Sequence, residues 1–301
     1  MVVCAAYGVL KNSAMPPSAR ERAPAVLRFE PAPPQLAPWV VGHVERDDAH
    51  GGGVMRLLPE PRASIQITLG DRYWLRPDGS SEWRLAPKLA VWAPRFHPGH
   101  GYARQRIHVY ALLLSMDGLR ALTGAPAAEW VDQILDLADL HPSLAATLTP
   151  LSNEPFEHWC TRIEPALCQA LYGANLDPRP WPEILSLLGA GDDATLDTAI
   201  TRSGLSPRQF RRVFQQRHGA TPKAYQRVLR VDRMLRQLHS TPWEGDHLAD
   251  HPLPFADQPH AIREFRTITG LSPGEYIKRK RSGDLTLRSI PDPSISKPET
   301  A

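Results

Sequence analysis

Between residues 25 and 115 the apolar positions fall into short stretches with a period of two. Ser64–Leu69 places Ile65, Ile67 and Leu69 on one face. Val40–Val44, Tyr73–Leu75, Leu89–Trp92 and Val109–Leu114 have the same character, and Gly, Pro and Asp turns part them. This spacing predicts a small β-barrel or sandwich. After Ser115 the period lengthens to that of a helix. Pro126 opens an amphipathic stretch carrying Trp130, Val131, Ile134, Leu135 and Leu137, and a second stretch runs from Phe156 to Tyr172 with Pro165 bending it. The first half of the chain therefore reads as strands followed by helices.

From Leu196 helical stretches alternate with glycine turns and proline breaks. Asp197–Arg202 has helical spacing, Gly204 supplies a turn, and Ser206-Pro207-Arg208-Gln209 is a capping box with proline in the first helical position. Phe210, Val213 and Phe214 recur at i, i+3 and i+4, so one face of this helix is buried and Arg208, Arg211, Arg212 and Gln215 are left on the other. An apolar back with arginine and glutamine on the exposed N-terminal face suits a DNA major groove, where Arg pairs with guanine and Gln with adenine. The competing interpretation is an ordinary solvated helix face. Thr221-Pro222 then starts a long helix through Leu238, with Tyr225, Val228, Leu229, Val231, Leu235 and Leu238 available to bury.

A second copy favours the DNA reading. FRRVFQQRHGATPKAY at 210–225 aligns with IREFRTITGLSPGEY at 262–276: a basic helix, Gly, a Thr/Ser-Pro cap, then Tyr. Asp257 is the expected N-cap of the second such helix, with Ile262 and Phe265 on its apolar side. The long helix between the copies would fix their separation, and two reading helices about 34 Å apart can enter successive major-groove faces. The fold class expected is α+β: a β-rich N-terminal domain with trailing helices, and an all-α C-terminal domain of two helix-turn-helix units joined by a long helix.

Proline, 31 of 301 residues, marks the boundaries. Pro16, Pro17 and Pro24 lie in a lead expected to be disordered over 1–24, within which Met15 is a second candidate start. Pro178, Pro180 and Pro182 alternate in a way no helix or central strand tolerates, which places a domain boundary at 177/178. The expected division is 25–177 for a sensing or dimerisation domain, 178–281 for a DNA-binding domain, and 282–301 for a disordered tail. The net charge of +3 conceals an asymmetry, since 178–283 holds 17 basic and 11 acidic residues and the remainder is net acidic. The basic surplus sits where the helix-turn-helix pattern lies, although a solvated charged surface gives the same count.

At these residues the chain resembles a known family. GLSPRQFRRVF, YQRVLRVDRML and above all FADQPHAIREFRTITGLSPGEY are similar to the paired helix-turn-helix units of the AraC/XylS bacterial transcription regulators, over 178–281 and most strongly from 204. More faintly, Leu36-Ala37-Pro38-Trp39-Val40, Leu58-Pro59 and Ala128–Leu140 resemble a β-rich N-terminal domain carried by some uncharacterised members. The resemblance implies DNA contacts from Arg208, Gln209, Arg211 and Arg212 on the first reading helix, and from Gln258, His260 and Arg263 on the second. It makes Ser206, Thr221 and Ser272 caps, and Phe214, Phe265 and Tyr276 core. Lys278, Arg279, Lys280 and Arg281 are candidates for phosphate contact or for solubility. It also implies double-stranded DNA, RNA polymerase, a small-molecule effector and a second copy of the chain as partners, with activation as the outcome. The chain departs from the family at LADHPLPFADQ. Pro252 and Pro254 remove backbone donors from a supporting helix, and Pro254 stands where glycine is expected. Pro259 is tolerated, because the second helical position after an Asp257 cap needs no intrahelical donor.

Other chemistry finds little purchase. His97-Pro98-Gly99-His100 beside His108 suggests a metal, but the Pro-Gly turn and the lack of a downstream Glu favour a surface turn. Trp39, Trp74, Trp83 and Trp92 read as core more than as a ligand pocket. Cys160 and Cys168 share a helical stripe, as buried small residues or as a redox pair, and three cysteines exclude the four-cysteine zinc site of a DNA-repair relative. No Ser-His-Asp order, Walker loop or dinucleotide fingerprint is present, so no enzyme activity, cofactor or metal is expected. The longest apolar run, Val109–Leu114, is too short for a membrane span, and the first residues lack a basic signal region. These features suit a cytoplasmic, sequence-specific transcription regulator. Against it stands a small-molecule-binding protein whose DNA module has degenerated, motivated by Pro252 and Pro254. An enzyme fused to a regulator is a third reading.

Overall fold

The alternating stretches of the first half form two antiparallel sheets. The computed structural model describes residues 26–49, 51–171, 173, 176–190, 193–240, 259–281 and 289–291. The first sheet contains β1 (Val26–Pro31), β2 (Val40–Asp48), β4 (Ala63–Thr68), β7 (Leu89–Trp92), β9 (Ile107–Leu114) and β10 (Ile134–Asp136), in the order β1-β2-β9-β4-β7-β10. The second contains β3 (Gly53–Leu57), β5 (Trp74–Pro77), β6 (Arg84–Leu85), β8 (Gly99–Ala103) and β11 (Ser289–Pro291), in the order β11-β3-β8-β5-β6. Period two gives each strand two faces. In the first sheet, Ile65, Ile67, Val91, Tyr110, Leu112 and Leu114 point toward helices. Met55, Tyr73, Ala103, Ile107 and Val109 form a smaller core with the second sheet.

The helices covering the first sheet are α1 (Met116–Thr123), α2 (Leu137–Leu140), α3 (Pro142–Leu148) and α4 (Phe156–Leu171). α4 contains Pro165 and buries Phe156, Trp159, Cys160, Ile163, Leu167 and Leu171 at helical spacing. Burial pushes the Cys160 thiol up to about 12, so it packs as a small neutral residue. This core ends at Leu171, and the next apolar cluster begins at Trp181. The C-terminal helices are α5 (Trp181–Ala190), α6 (Asp193–Ser203), α7 (Pro207–His218), α8 (Pro222–Ser240), α9 (Pro259–Thr269) and α10 (Pro273–Arg281). None of the described helices is long and apolar enough to cross a membrane.

Four expectations need correction. The helix foreseen from Pro126 through Leu137 is a short 3-10 turn at Ala127–Glu129, followed by the strand β10 and then α2. Asp132, at φ +60°, redirects the chain, and Ile134–Asp136 then pairs with Trp92–Ala90 of β7. A free sheet edge outweighed the helical spacing of the apolar residues. The surface turn foreseen at 97–100 stops at Pro98. Gly99 starts β8, which pairs with β3 on one side and β5 on the other, and His100 is buried. Glycine at 99 and 101 hides the alternation that would have marked this strand. Trp74, Trp83 and Trp92 are only partly buried and lie outside the main core, whereas Trp39, also partly buried, packs against that core, whose fully buried indole is Trp159. Within the tail expected to be disordered, Ser289–Pro291 pairs with Leu57–Met55 of β3. The lead over 1–24 lies outside the described residues.

His43 on β2 contributes to the packing between the first sheet and α4. Its ring meets Trp159 edge-on at 5.3 Å, and it is 1% exposed. Burial lowers its pKa from 6.5 to about 4, so it is neutral in the fold. The unfolded chain takes up this proton first on acidification, so the contribution is complete above pH 6.5 and declines as the pH falls toward 4. Denaturant unfolding at pH 7 and pH 5 should show a loss on acidification that His43→Leu reduces by about 2 kcal/mol. Equal losses in the two proteins would place the proton elsewhere.

Candidate nucleic-acid interface

The first helix-turn-helix unit is set by its turn. Gly204, at φ +67°, takes the left-handed conformation that glycine adopts without a Cβ clash. Ser203 Oγ donates to the Ile200 carbonyl at 2.6 Å and accepts from Leu205 N–H at 3.2 Å, so the end of α6 is satisfied within the turn. Ser206 then caps α7. Its Oγ accepts from Gln209 N–H, and Gln209 Oε1 accepts from Ser206 N–H at 3.1 Å, which completes the capping box. Phe210 and Phe214 are fully buried against Trp181, Ile184, Leu188, Ala199 and Tyr225.

The second unit repeats this local chemistry. Gly270 is at φ +77°; Thr269 Oγ1 donates to the Phe265 carbonyl at 2.8 Å and accepts from Leu271 N–H at 3.1 Å. Ser272 and Glu275 form the capping box of α10. Thus Ser-Gly-Leu-Ser-Pro at 203–207 and Thr-Gly-Leu-Ser-Pro at 269–273 are the same turn used twice. In the first it leads into the candidate reading helix, and in the second it follows one. Phe265 and Tyr276 are buried, at 0% and 2% exposure.

α8 joins the two units because its apolar stripe enters both cores. Tyr225 belongs to the first, and Val231, Met234, Leu235 and Leu238 belong to the second. Thr221 Oγ1 caps its start by accepting from Ala224 N–H at 3.2 Å. Its 19 residues give a rod of about 28 Å. Glu264 fastens α9 to it, accepting from Arg230 Nη1 at 2.7 Å with Arg227 Nε at 3.9 Å. A glutamate on the apolar side of α9 is a sequence signal for a partner, but nothing in the spacing identifies an arginine 34 positions earlier.

The expected contact residues are arranged as follows. Arg208, Gln209, Arg211 and Arg212 are exposed on one side of α7, together with Gln215 and Gln216. Arg208, Arg211 and Arg212 have no ion-pair partner among the described residues, whereas Arg202 is paired with Glu183 and Arg217 with Asp117. Gln209 forms the expected capping box, in which its side-chain oxygen accepts from Ser206 N–H and Oγ. A two-bond contact to adenine needs that oxygen as well. On α9, Arg263 is exposed beside Arg266, and the backbone of His260 lies in the first turn. Gln258, Asp257, Pro252 and Pro254 lie outside the described residues. On α10, Lys278 is exposed and Arg279 half-buried, and the backbones of Lys280 and Arg281 end the helix.

Sequence reasoning passed over Arg217, which anchors α7 from behind. Its guanidinium donates two bonds to Asp117 of α1, at 2.6 and 2.8 Å, and lies 4.9 Å over the Trp181 ring. Both side chains of this pair are 11% exposed, a setting in which two-bond arginine–carboxylate geometry counts most. The next residue, His218, is enclosed by Trp181, Phe214 and Tyr225. Burial, helped by the Arg217 charge, holds its pKa well below the ordinary range. Asp117 is 100 residues away in sequence, so no local signal announces the pair. The three histidines considered for a metal are dispersed: His97 pairs with Asp132, His100 with Asp78, and His108 with Glu45. Among the described residues, no group of His, Cys, Asp and Glu side chains is arranged to hold a metal ion.

Comparison with known proteins agrees with this geometry in the C-terminal half. Residues 200–279 match the family model described as a helix-turn-helix domain. No curated protein matches the chain. Among solved structures, ToxT from Vibrio cholerae is similar over 78% of this chain and 97% of its own, at 8% identity and a TM-score of 0.43. Wild-type ToxT from Vibrio cholerae strain SCE256 with bound unsaturated fatty acid is similar over 86% and 96%, at 8% identity and a TM-score of 0.43. The AraC-like transcriptional activator CuxR is similar over 72% and 95%, at 14% identity and a TM-score of 0.27. Residues 200–279 are thus a helix-turn-helix domain, preceded by a β-rich N-terminal region.

Proposed function

We propose that this protein is a cytoplasmic, sequence-specific DNA-binding transcription regulator that reads double-stranded DNA with α7 and α9. The observation that carries this reading is the exposed arginine face of α7, Arg208, Arg211 and Arg212, without an ion-pair partner among the described residues and on a helix whose back is locked into a core. The free cations supply salt-dependent attraction to phosphate, and those that reach base edges supply discrimination. Arg263 serves the second helix in the same way, with Gln258 and His260 as further candidates. The β-rich domain is assigned the sensing or dimerising role, with a small-molecule effector, a second copy of the chain and RNA polymerase as partners of an activator. No reaction is assigned to the protein.

The direct test is fluorescence anisotropy on a duplex selected from a random pool. Arg212→Ala should relax preference at one base position by about 1–3 kcal/mol while leaving the other positions intact. An equal loss on every sequence would show that Arg212 contacts only phosphate. Neutralising Lys278, Arg279, Lys280 and Arg281 together should weaken all sequences alike and lower the slope of log affinity against log salt by roughly one for every phosphate no longer neutralised. An unchanged salt slope would remove these four residues from the interface.

A further inference from the structure

Each helix-turn-helix core is entered by one side chain of the β-rich domain. Phe96, which follows β7, packs on Tyr225 in the first core with ring centroids 5.9 Å apart. Leu58, which follows β3, is 5% exposed within the second core, alongside Val231, Leu235 and Ile268. These two side chains belong to one rigid unit. Glu60 and Arg95 exchange backbone hydrogen bonds of 2.8 Å in both directions. The Arg95 guanidinium also donates to the Leu58 carbonyl from Nε at 3.1 Å and from Nη2 at 2.7 Å.

The Phe96 side is held as firmly. Asp132 Oδ1 accepts from the N–H groups of Phe96 at 2.9 Å and His97 at 3.2 Å, and Oδ2 pairs with His97 Nδ1 at 2.7 Å. Asp132 does so from a left-handed conformation that non-glycine residues rarely adopt, at φ +60°. Sparsely populated backbone conformations persist where the surroundings over-determine them. Beyond these prongs, each reading helix is also gripped near its C-terminal end by the same domain. Asp117 holds Arg217 of α7, and Arg56 Nε donates to the Ile268 carbonyl of α9 at 3.1 Å while its guanidinium is fixed by Asp78.

We propose that the Leu58–Arg95–Phe96 unit is a brace that sets the separation and relative rotation of α7 and α9, with Arg95 as a positioning residue for DNA reading. The inference rests on the DNA-binding reading above. α8 is one connection between the units, and a single rod leaves rotation about its axis to be resisted by side-chain packing alone. The brace is a second connection, and two connections remove that rotation. The constraint matters because one inserted base pair displaces a half-site by about 3.4 Å and turns it by roughly 35°. A rigid pair of helices rejects such a site, whereas a hinged pair follows it.

The test measures the brace with and without DNA. Nitroxide labels at the exposed positions Gln215 of α7 and Thr267 of α9, in a Cys4→Ala, Cys160→Ala, Cys168→Ala background, report their separation in the full chain by pulsed electron resonance. A narrow distance distribution is expected for the parent and a clearly broadened one for Arg95→Ala and for Phe96→Ala. Arg95 lies outside both cores, so its loss leaves them intact. Parent-like widths in both variants would overturn the proposal. On duplexes with one base pair inserted between the half-sites, the parent should lose about tenfold or more in affinity and Arg95→Ala far less, with equal binding to an isolated first half-site. A variant as intolerant of the insertion as the parent would also overturn it. If the parent showed no sequence preference at all, the DNA reading would fail, and the distance measurement would still decide the brace.

Discussion

Helices of the size of α7 and α9, 12 and 11 residues, cannot hold themselves in water, and each leaves a polar face uncovered. Stability has to come entirely from the back. In α7 this is Phe210 and Phe214, and in α9 it is Phe265 and Ile268, each almost fully removed from solvent. Burying an aromatic or branched side chain of this kind contributes about 1.5–3 kcal/mol, which exceeds the intrinsic deficit of so short a helix. Much of the C-terminal architecture follows from this need to bury one face and expose the other. α5 and α6 supply the walls of the first core, α10 closes the second, and α8 runs through both because neither unit has enough apolar surface alone.

The same constraint explains how the two halves of the chain are joined. Each C-terminal core is small and accepts one apolar side chain from the β-rich domain, Phe96 or Leu58. The polar groups that accompany these contacts are satisfied across the junction. Arg217 meets Asp117, Arg56 meets a helix-terminal carbonyl, and Arg95 meets the Leu58 carbonyl. An arginine at the C-terminal end of a helix also complements its dipole, as Arg56 does at α9. The N-terminal domain thus touches both α7 and α9 and leaves Arg208, Arg211, Arg212 and Arg263 facing solvent.

How much of this is legible in the sequence depends on whether the signal is local. The capping box at Ser206, the left-handed glycines at 204 and 270, and the period of Phe210, Val213 and Phe214 are all written within a few residues, and each takes its expected form. Strands with clean alternation, such as 64–69 and 109–114, are equally plain. β10 is not, because Ile134, Leu135 and Leu137 also fit a helix and only the waiting edge of β7 decides between the two. β8 is hidden by its glycines. Among the candidate site residues, exposure of the arginines on α7 is readable, as is the capping box that engages the Gln209 oxygen. Arg217, Glu264 and Arg95 act through partners 100, 34 and 37 positions away, distances over which one sequence carries no pairing information.

The central proposal is that α7 and α9 read one duplex together about one DNA turn apart. Hydroxyl-radical footprinting of the full chain on a duplex selected from a random pool tests it most directly. The account predicts two protected tracts on the same face of the DNA, centred roughly 34 Å apart. A single tract of one half-site, or protection that ignores sequence, would contradict it.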